Sequence, residues 1–444
     1  MRFEYKFAWI FCATLMLAPP TSAAATGRAY YVHADAGSDE YAGSLAKPWK
    51  SVERVNRQAL RPGDQVYFAR GTSYLGPVII RDSGASGAPL VVGAYGQGPA
   101  PRLSNPYFSV SMGRIVEVSG SHVVVENLFL HDTPTPPPDE PPLTWKLSAQ
   151  HKKVFEMGAV FVHHNASHVT IRGNEFVNAV MGIRVRGSHS LVSHNLLRDA
   201  AKITEQWGAI AINIVGPHNE VAYNVVENYG FYGGTYVNDG AVVELDGEDP
   251  HFNAHHIRIH HNVSRNVKGG FVEIAGKAND VLIDHNVSDD VDKFLGASNV
   301  KGIEVRNNTV IRTRLPAFPK SDFFPLGTVF WSFNDKADDQ FTLSNNVFYL
   351  DRLQRLYKST EHPLGIVPTT RERNLYFSPN ADAAGMLGMP LAAGELVGDP
   401  RFVNAAKGDY RVRHKAGPGW YYGAYAPGRP LWQAGPRALT ATKR

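Results

Sequence analysis

Cysteine is all but missing from this chain, with one, Cys12, in 444 residues. Cys12 lies in an apolar run, Phe7 to Leu17, that follows Arg2 and Lys6 and precedes Pro19, Pro20 and the small residues Thr21 to Ala25. A basic start, a short apolar run and small residues make a secretory signal, so residues 1–25 are expected to be removed on export to the periplasm or beyond. Cys12 comes too early in the run to be a lipoprotein cysteine. The exported chain then has no disulfide, and its stability must come from packing. Long apolar runs are also lacking: no stretch of about twenty apolar residues is present to span a bilayer. Charge of one sign is sparse too. The net charge is only +4, and Lys and Arg are scattered without a basic run. That argues against a nucleic-acid partner and suits an anionic polymer. A monomer is expected.

What the chain has in plenty is glycine and proline, 41 and 29 residues, and one phrase written seven times. The phrase is β-branched, any, β-branched, two mostly polar residues, then Asn. Its copies end at Asn174, Asn195, Asn224, Asn262, Asn286, Asn308 and Asn346, with spacings of 21, 29, 38, 24, 22 and 38 residues. A period a little over twenty with occasional insertions is the mark of a solenoid. Alternation within each copy is strand-like, and Asn at one register suits a recurring turn. Stacked coils would place these amides over one another, within hydrogen-bonding reach along the stack. The expected fold is all-β, a right-handed parallel β-helix of roughly eight to ten coils.

The segment Ile115 to Asp132 reads as one further coil in which Leu128, not Asn127, holds the ladder position. Residues 26–104 are expected to form an N-terminal cap and first strands, 105–350 the coil stack, 351–430 the terminal coils and closing segment, and 431–444 a tail. A Pro-rich insertion, TPTPPPDEPPLTW, occupies 133–145, and another, YGFYGGTYVND, occupies 229–239. The first is too stiff to be a strand.

The tract YYVHADAGSDEYAGSLAKPWKS, followed by RPGDQVYF, resembles the N-terminal cap of secreted parallel β-helix proteins of the pectate-lyase-like superfamily. The segment GDPRFVNAAKGDYRVRHKAGPGWYYGAY is similar to the closing segment of that superfamily. The resemblance spans essentially the whole exported chain. It implies the fold and, since one fold hosts many activities, leaves the substrate open.

One strand of each coil precedes the Asn phrase, and its side chains alternate in and out. Counting back from each ladder position groups the outward residues His163, Arg184, Asn213, Glu244, Asp246 and Glu273 into one exposed patch. The count sets Asp246 beside Asn213 and Glu244 beside Glu273. Three neighbouring carboxylates repel, so a cation, an Arg or a raised pKa is needed to offset that. Trp145, Tyr229, Phe231, Tyr232 and Tyr236 on the two insertions, with Trp207 before a site strand, offer flat faces for sugar rings. Outward residues add little to a core, so Glu→Gln at 244 or 273 is expected to change stability by about 0.5 kcal/mol or less. The histidines of the turn phrases, His256, His260, His261 and His285, read as structural.

Asn213 followed by Glu244 and Asp246 on the next coil is similar to the Asn…Glu-x-Glu calcium site of polysaccharide lyases of the chondroitinase B and alginate lyase type. That resemblance implies Ca²⁺ held by Asn213, Glu244 and Asp246, and β-elimination of a uronate polymer. The chain departs from it where those enzymes carry a Lys and an Arg: it has His251, a candidate base, and Glu273, with Lys277 close by. Two other chemistries fit the same residues. One is a glycoside hydrolase whose paired carboxylates come from Glu244, Asp246 and Glu273. The other is a glycan-binding protein without catalysis.

Overall fold

The structure, a computed structural model, describes residues 27–106, 113–131, 156–200, 208–232, 238–246, 254–274, 278–297, 300–313, 329–332, 340–350, 356, 367–380 and 387–441. The side chains of 231–239 are outside that description, as are residues 1–26, which include the expected signal, 1–25. Short strands of mostly three to six residues stack into three long sheets of nine, twelve and twelve strands, with every pairing between neighbouring coils parallel. The chain visits the three sheets in turn, so it is a parallel β-helix. Among the described residues no helix is long and apolar enough to cross a membrane.

Sheet 1, the nine-stranded one, includes Val116–Val118, Val160–Val162, Met181–Val185, Ile210–Ile214, Ala241–Leu245, Gly270–Ile274, Leu295–Ala297 and Phe330–Ser332. Sheet 2 carries the strand before each ladder Asn, such as Thr170–Arg172, and sheet 3 the strand after it, such as Glu175–Val177. The stack is longer than eight to ten coils. Gln65–Ala69, Ser73–Leu75, Val78–Ile80 and Leu90–Tyr95 already belong to the three sheets, as do Thr370–Glu372 and Leu375–Phe377 at the far end. Those coils lack the Asn phrase, which is why a count of phrases misses them. Ahead of them lies a helix, Val52–Asn56, capped by Ser51 Oγ, which accepts from the Arg54 N–H at 3.1 Å. Its Val52 and Val55 are buried in the same core as Val32 and Val66.

The asparagines form the expected ladder. Asn195 is representative. Its Oδ1 accepts from the N–H and Nδ2 of Asn174 at 3.1 and 3.2 Å, and its Nδ2 donates to Ile171 O and Asn224 Oδ1 at 2.9 and 3.0 Å. Both donors and both lone pairs of a fully buried amide are thereby used. The ladder continues past Asn346 to an eighth member, Asn374, whose Nδ2 donates to Glu395 Oε1 at 2.9 Å. At the other end the Leu128 N–H donates to Asn174 Oδ1, so Leu128 does hold the ladder position. Asn127 before it adopts φ 61°.

The residue before each ladder Asn is likewise left-handed, including His194, Tyr223, His261, His285 and Arg373 at φ between 53° and 57°. Such values are uncommon without glycine, and stacking of the projecting rings accompanies them here. His194, Tyr223, His261 and His285 lie face to face at 4.9, 4.8 and 5.0 Å. A second column of left-handed residues, His122, His168, His189 and His218, stacks at 4.6, 5.2 and 4.7 Å.

Packing in these columns has a consequence for pH. Burial, then His285 and His260 beside it, push His261 down to about 3, against roughly 6.5 in an unfolded chain. Between those values the unfolded chain binds the extra proton, so stability falls as pH drops from about 6.5 toward 3. His261→Asn, which tolerates the left-handed backbone, is expected to flatten this part of the curve in urea titrations at pH 7, 5 and 4. An unchanged slope in the variant would exclude His261 as its source.

The C-terminal segment packs back onto the stack. The Gly423 N–H donates to Asn345 O, Asn307 Nδ2 donates to Tyr421 O, and His285 Nε2 lies 2.8 Å from the Tyr421 hydroxyl. Further on, Trp432 packs edge-on to His261 at 5.0 Å and the Gly435 N–H donates to Tyr223 O. A strap thus runs back down the stack over the column of residues that precede the ladder asparagines and ends in a short helix, Pro436–Ala441.

Candidate functional site

Strands of sheets 2 and 3 alternate between buried and partly exposed residues, as one-sided sheets do. The central strands of sheet 1 do not. Met181–Val185, Ile210–Ile214, Ala241–Leu245 and Gly270–Ile274 are buried at every position, on the outer side as well as the inner. The insertions 132–155, 233–239 and 247–253 each begin or end at a strand of this sheet.

Register places one outward column across these strands: Glu117, Phe161, Arg184, Asn213, Glu244, Glu273, Gly296 and Trp331. Parallel strands lie about 4.8 Å apart, so each side chain has two close neighbours. Glu244 is beside Glu273, as expected. Asn213 is beside Glu244 and not Asp246. Phe161, and not His163, stands next to Arg184. His163 is turned to Glu117, 2.7 Å away, and does not join the cluster.

Two ion pairs offset the carboxylate repulsion. Arg184 reaches across two coils to Asp246, with Nη2 at 3.2 Å from Oδ2. Lys293, in the turn before Leu295–Ala297, places Nζ 2.7 Å from Glu273 Oε1 and 5.4 Å from the centre of the Trp331 ring. Burial pulls Arg184 below its usual value, and Asp246 and Glu244 work against that. Gly270 leaves room for the Glu273 side chain, since a Cβ there would stand 2.8 Å from Glu273 Cγ. Toward the start of the stack, Arg114 lies over Phe161 at 3.6 Å and pairs with Glu117 and Glu156.

Burial corrects two expectations. Glu244, Asp246, Glu273 and Lys293 are each less than 9% exposed, so the patch is enclosed rather than solvated. Substitution there will not be neutral for stability, because removing one partner strands the other charge. Tyr229, expected to offer a ring to sugars, is fully buried in the core. Trp145, Trp207, Tyr236, His251 and Lys277 lie outside the described residues. Tyr232 belongs to a short hairpin, Phe231–Tyr232 against Asn238–Asp239. Lys293 and Trp331 escaped the sequence reading.

For calcium the fit is partial. Asn213 Oδ1 is buried with no hydrogen-bond partner, and the Glu244 carboxylate is its neighbour, both hard donors of the type Ca²⁺ takes. Asp246, the expected third ligand, is committed to Arg184. Among the described residues, Glu244, Asp246 and Glu273 do not bring their oxygens within 4.8 Å of one another as a group.

Neither a protein-family model nor a curated protein matches the chain. Solved structures do. A rhamnogalacturonan lyase aligns over 90% of this chain and 100% of its own, at 12% identity and TM-score 0.54. XylC in complex with xylose aligns over 84% and 87%, at 12% identity and TM-score 0.51. The likeness is one of fold. A GH136 lacto-N-biosidase from Eubacterium ramulus aligns over 78% of this chain at 15% identity and TM-score 0.47, and the match spans 65% of that protein's length.

Proposed function

We propose that the protein is an exported carbohydrate-active enzyme that cleaves an acidic, uronate-containing polysaccharide by β-elimination at the outer face of sheet 1. The observation that carries this reading is the buried cluster on one column: Arg184 with Asp246, Asn213 and Glu244 between, and Glu273 with Lys293 under Trp331. Solvated charges need no such pairing, whereas a charged reaction partner does. The fold it shares with a rhamnogalacturonan lyase supports the same class.

In this mechanism the uronate carboxylate lies toward the Arg184 guanidinium, which lowers the cost of negative charge developing at the α-carbon. His251 is the proposed base for the α-proton. As the C–H electrons form the new ring double bond, the glycosidic C–O bond breaks, and the Lys293 ammonium, held in place by Glu273, donates a proton to the departing oxygen. Ca²⁺ held by Asn213 and Glu244 would supply further neutralisation of the carboxylate. Glycoside hydrolysis is the second reading. It is favoured by the direct pairing of Glu244 with Glu273, because neighbouring strands hold carboxylates near the roughly 5–5.5 Å that retaining hydrolases use.

Purified protein incubated with uronate-rich and neutral polysaccharides separates the two. Absorbance near 230 nm is expected with the uronate polymers, to fall on adding EDTA and to return with calcium. New reducing ends without that absorbance, indifferent to EDTA, would replace elimination with hydrolysis.

A further inference from the structure

Around the edge from the site column, one turn gathers three histidines. His218 lies in the turn after Ile210–Ile214, and His255 and His256 open the strand one coil further on. Their ring nitrogens all come within 4.8 Å of one another, and among the described residues no other three His, Cys, Asp or Glu side chains do so. The Nδ1 atoms of His255 and His256 are 2.7 Å apart. Two imidazole nitrogens that close share one proton or one Lewis acid. We propose that His218, His255 and His256 form a binding site for a borderline divalent transition metal, Zn²⁺ in the first instance.

Donor chemistry and geometry agree. Imidazole favours zinc over calcium or magnesium, and three histidines with a fourth position left to water make a recurrent zinc arrangement. At Zn–N distances of about 2.0–2.1 Å, tetrahedral ligand nitrogens stand roughly 3.3 Å apart. The 2.7 Å pair would open slightly and the third ring close in. The site is partly built in advance. His218 is fixed face to face with His189 at 4.7 Å, itself stacked on His168 at 5.2 Å. The His218 N–H donates to His255 O at 2.9 Å, locking the two coils together at this point. Asp280, one coil beyond His256, adds a carboxylate whose charge acts on His255.

His122, His168 and His189 contribute one ring per coil to this column. A second ring, His255, joins only where the chain returns from the connection 247–253, whose other end is Asp246 of the site. A metal here would pin that return point to the preceding coil.

The test is titration of the full exported chain, after treatment with chelator, with Zn²⁺ in competition with a chromogenic chelator. One zinc per chain is expected. His218→Asn and His256→Asn, which keep the left-handed backbone available, should each weaken binding at least about tenfold, the loss that even an outer-shell substitution brings. His168→Asn, in the same column two coils earlier, should bind as the parent does. A zinc-induced rise in melting temperature should appear in the parent and in His168→Asn and vanish in His218→Asn. Equal affinity in the parent and His218→Asn, or binding lost equally in His168→Asn, would overturn the site.

Discussion

Asn224→Leu is expected to cost about 4 kcal/mol or more, or to prevent folding altogether. Leucine fills a similar volume, so the cost comes from hydrogen bonds rather than from a cavity. Asn224 Oδ1 accepts from the N–H and Nδ2 of Asn195, each at 3.0 Å, while its Nδ2 serves Val192 O and Asn262 Oδ1 at 2.9 and 3.0 Å. The substitution strips partners from groups on two coils, those before and after its own, and each buried orphan costs about 1–3 kcal/mol. Total stability of a domain is only about 5–15 kcal/mol. Asn228→Gly, on an exposed turn where Asn228 Nδ2 meets Asp199 Oδ1 at 2.7 Å and glycine keeps the left-handed φ of 58°, should change stability by about 0.5 kcal/mol or less. Urea unfolding followed by circular dichroism measures both. A loss under 1 kcal/mol for Asn224→Leu would mean that the ladder is decoration.

The second large effect concerns Glu273 and Lys293, where stability and activity should part company. Glu273→Leu leaves a buried ammonium without the carboxylate 2.7 Å away, and breaking such a pair costs about 3–5 kcal/mol. Replacing both, Glu273→Leu with Lys293→Met, removes the stranded charge and should return stability to within about 1 kcal/mol of the parent. Activity should not return. The double variant loses the proton donor itself, which costs about 10²–10⁴-fold, and the single variant loses the carboxylate that holds it in place. A stable double variant with parental turnover would remove these residues from the site. A double variant as unstable as the single would show that the ion pair is not the source of the loss.

The fold was legible because one residue type recurs at one register, and each copy carries the same buried hydrogen bonds. Asn374 was missed because its preceding strand is Thr370–Glu372, with Arg371 where the other copies carry Ile, Val or Leu. There, Arg371 Nε pairs with Glu395 at 2.9 Å, so an ion pair replaces apolar packing. The outward column was read in a shifted frame. Arg184 and Asn213 stand 11 residues before their ladder positions, whereas Phe161 and Glu273 stand 13 before theirs. A uniform count of eleven moves His163 into the place of Phe161. The longer turn shows itself in His163–Ala166, closed by the Ala166 N–H on His163 O at 3.0 Å. Lys293 lies in a turn, off the strand column, and no alternation rule points to a residue that arrives from the side.

The C-terminal strap changes what kind of object this solenoid is. Stacked repeats touch only their neighbours, so they ordinarily gain and lose structure one unit at a time. Here the chain end touches Asn345, Asn307, His285, His261 and Tyr223 in succession, rungs that span much of the stack. Its binding surface exists only once those rungs are in place and in register. Docking is therefore the last event in folding and a test of everything before it: a chain with a slipped coil presents the wrong spacing and stays unfastened.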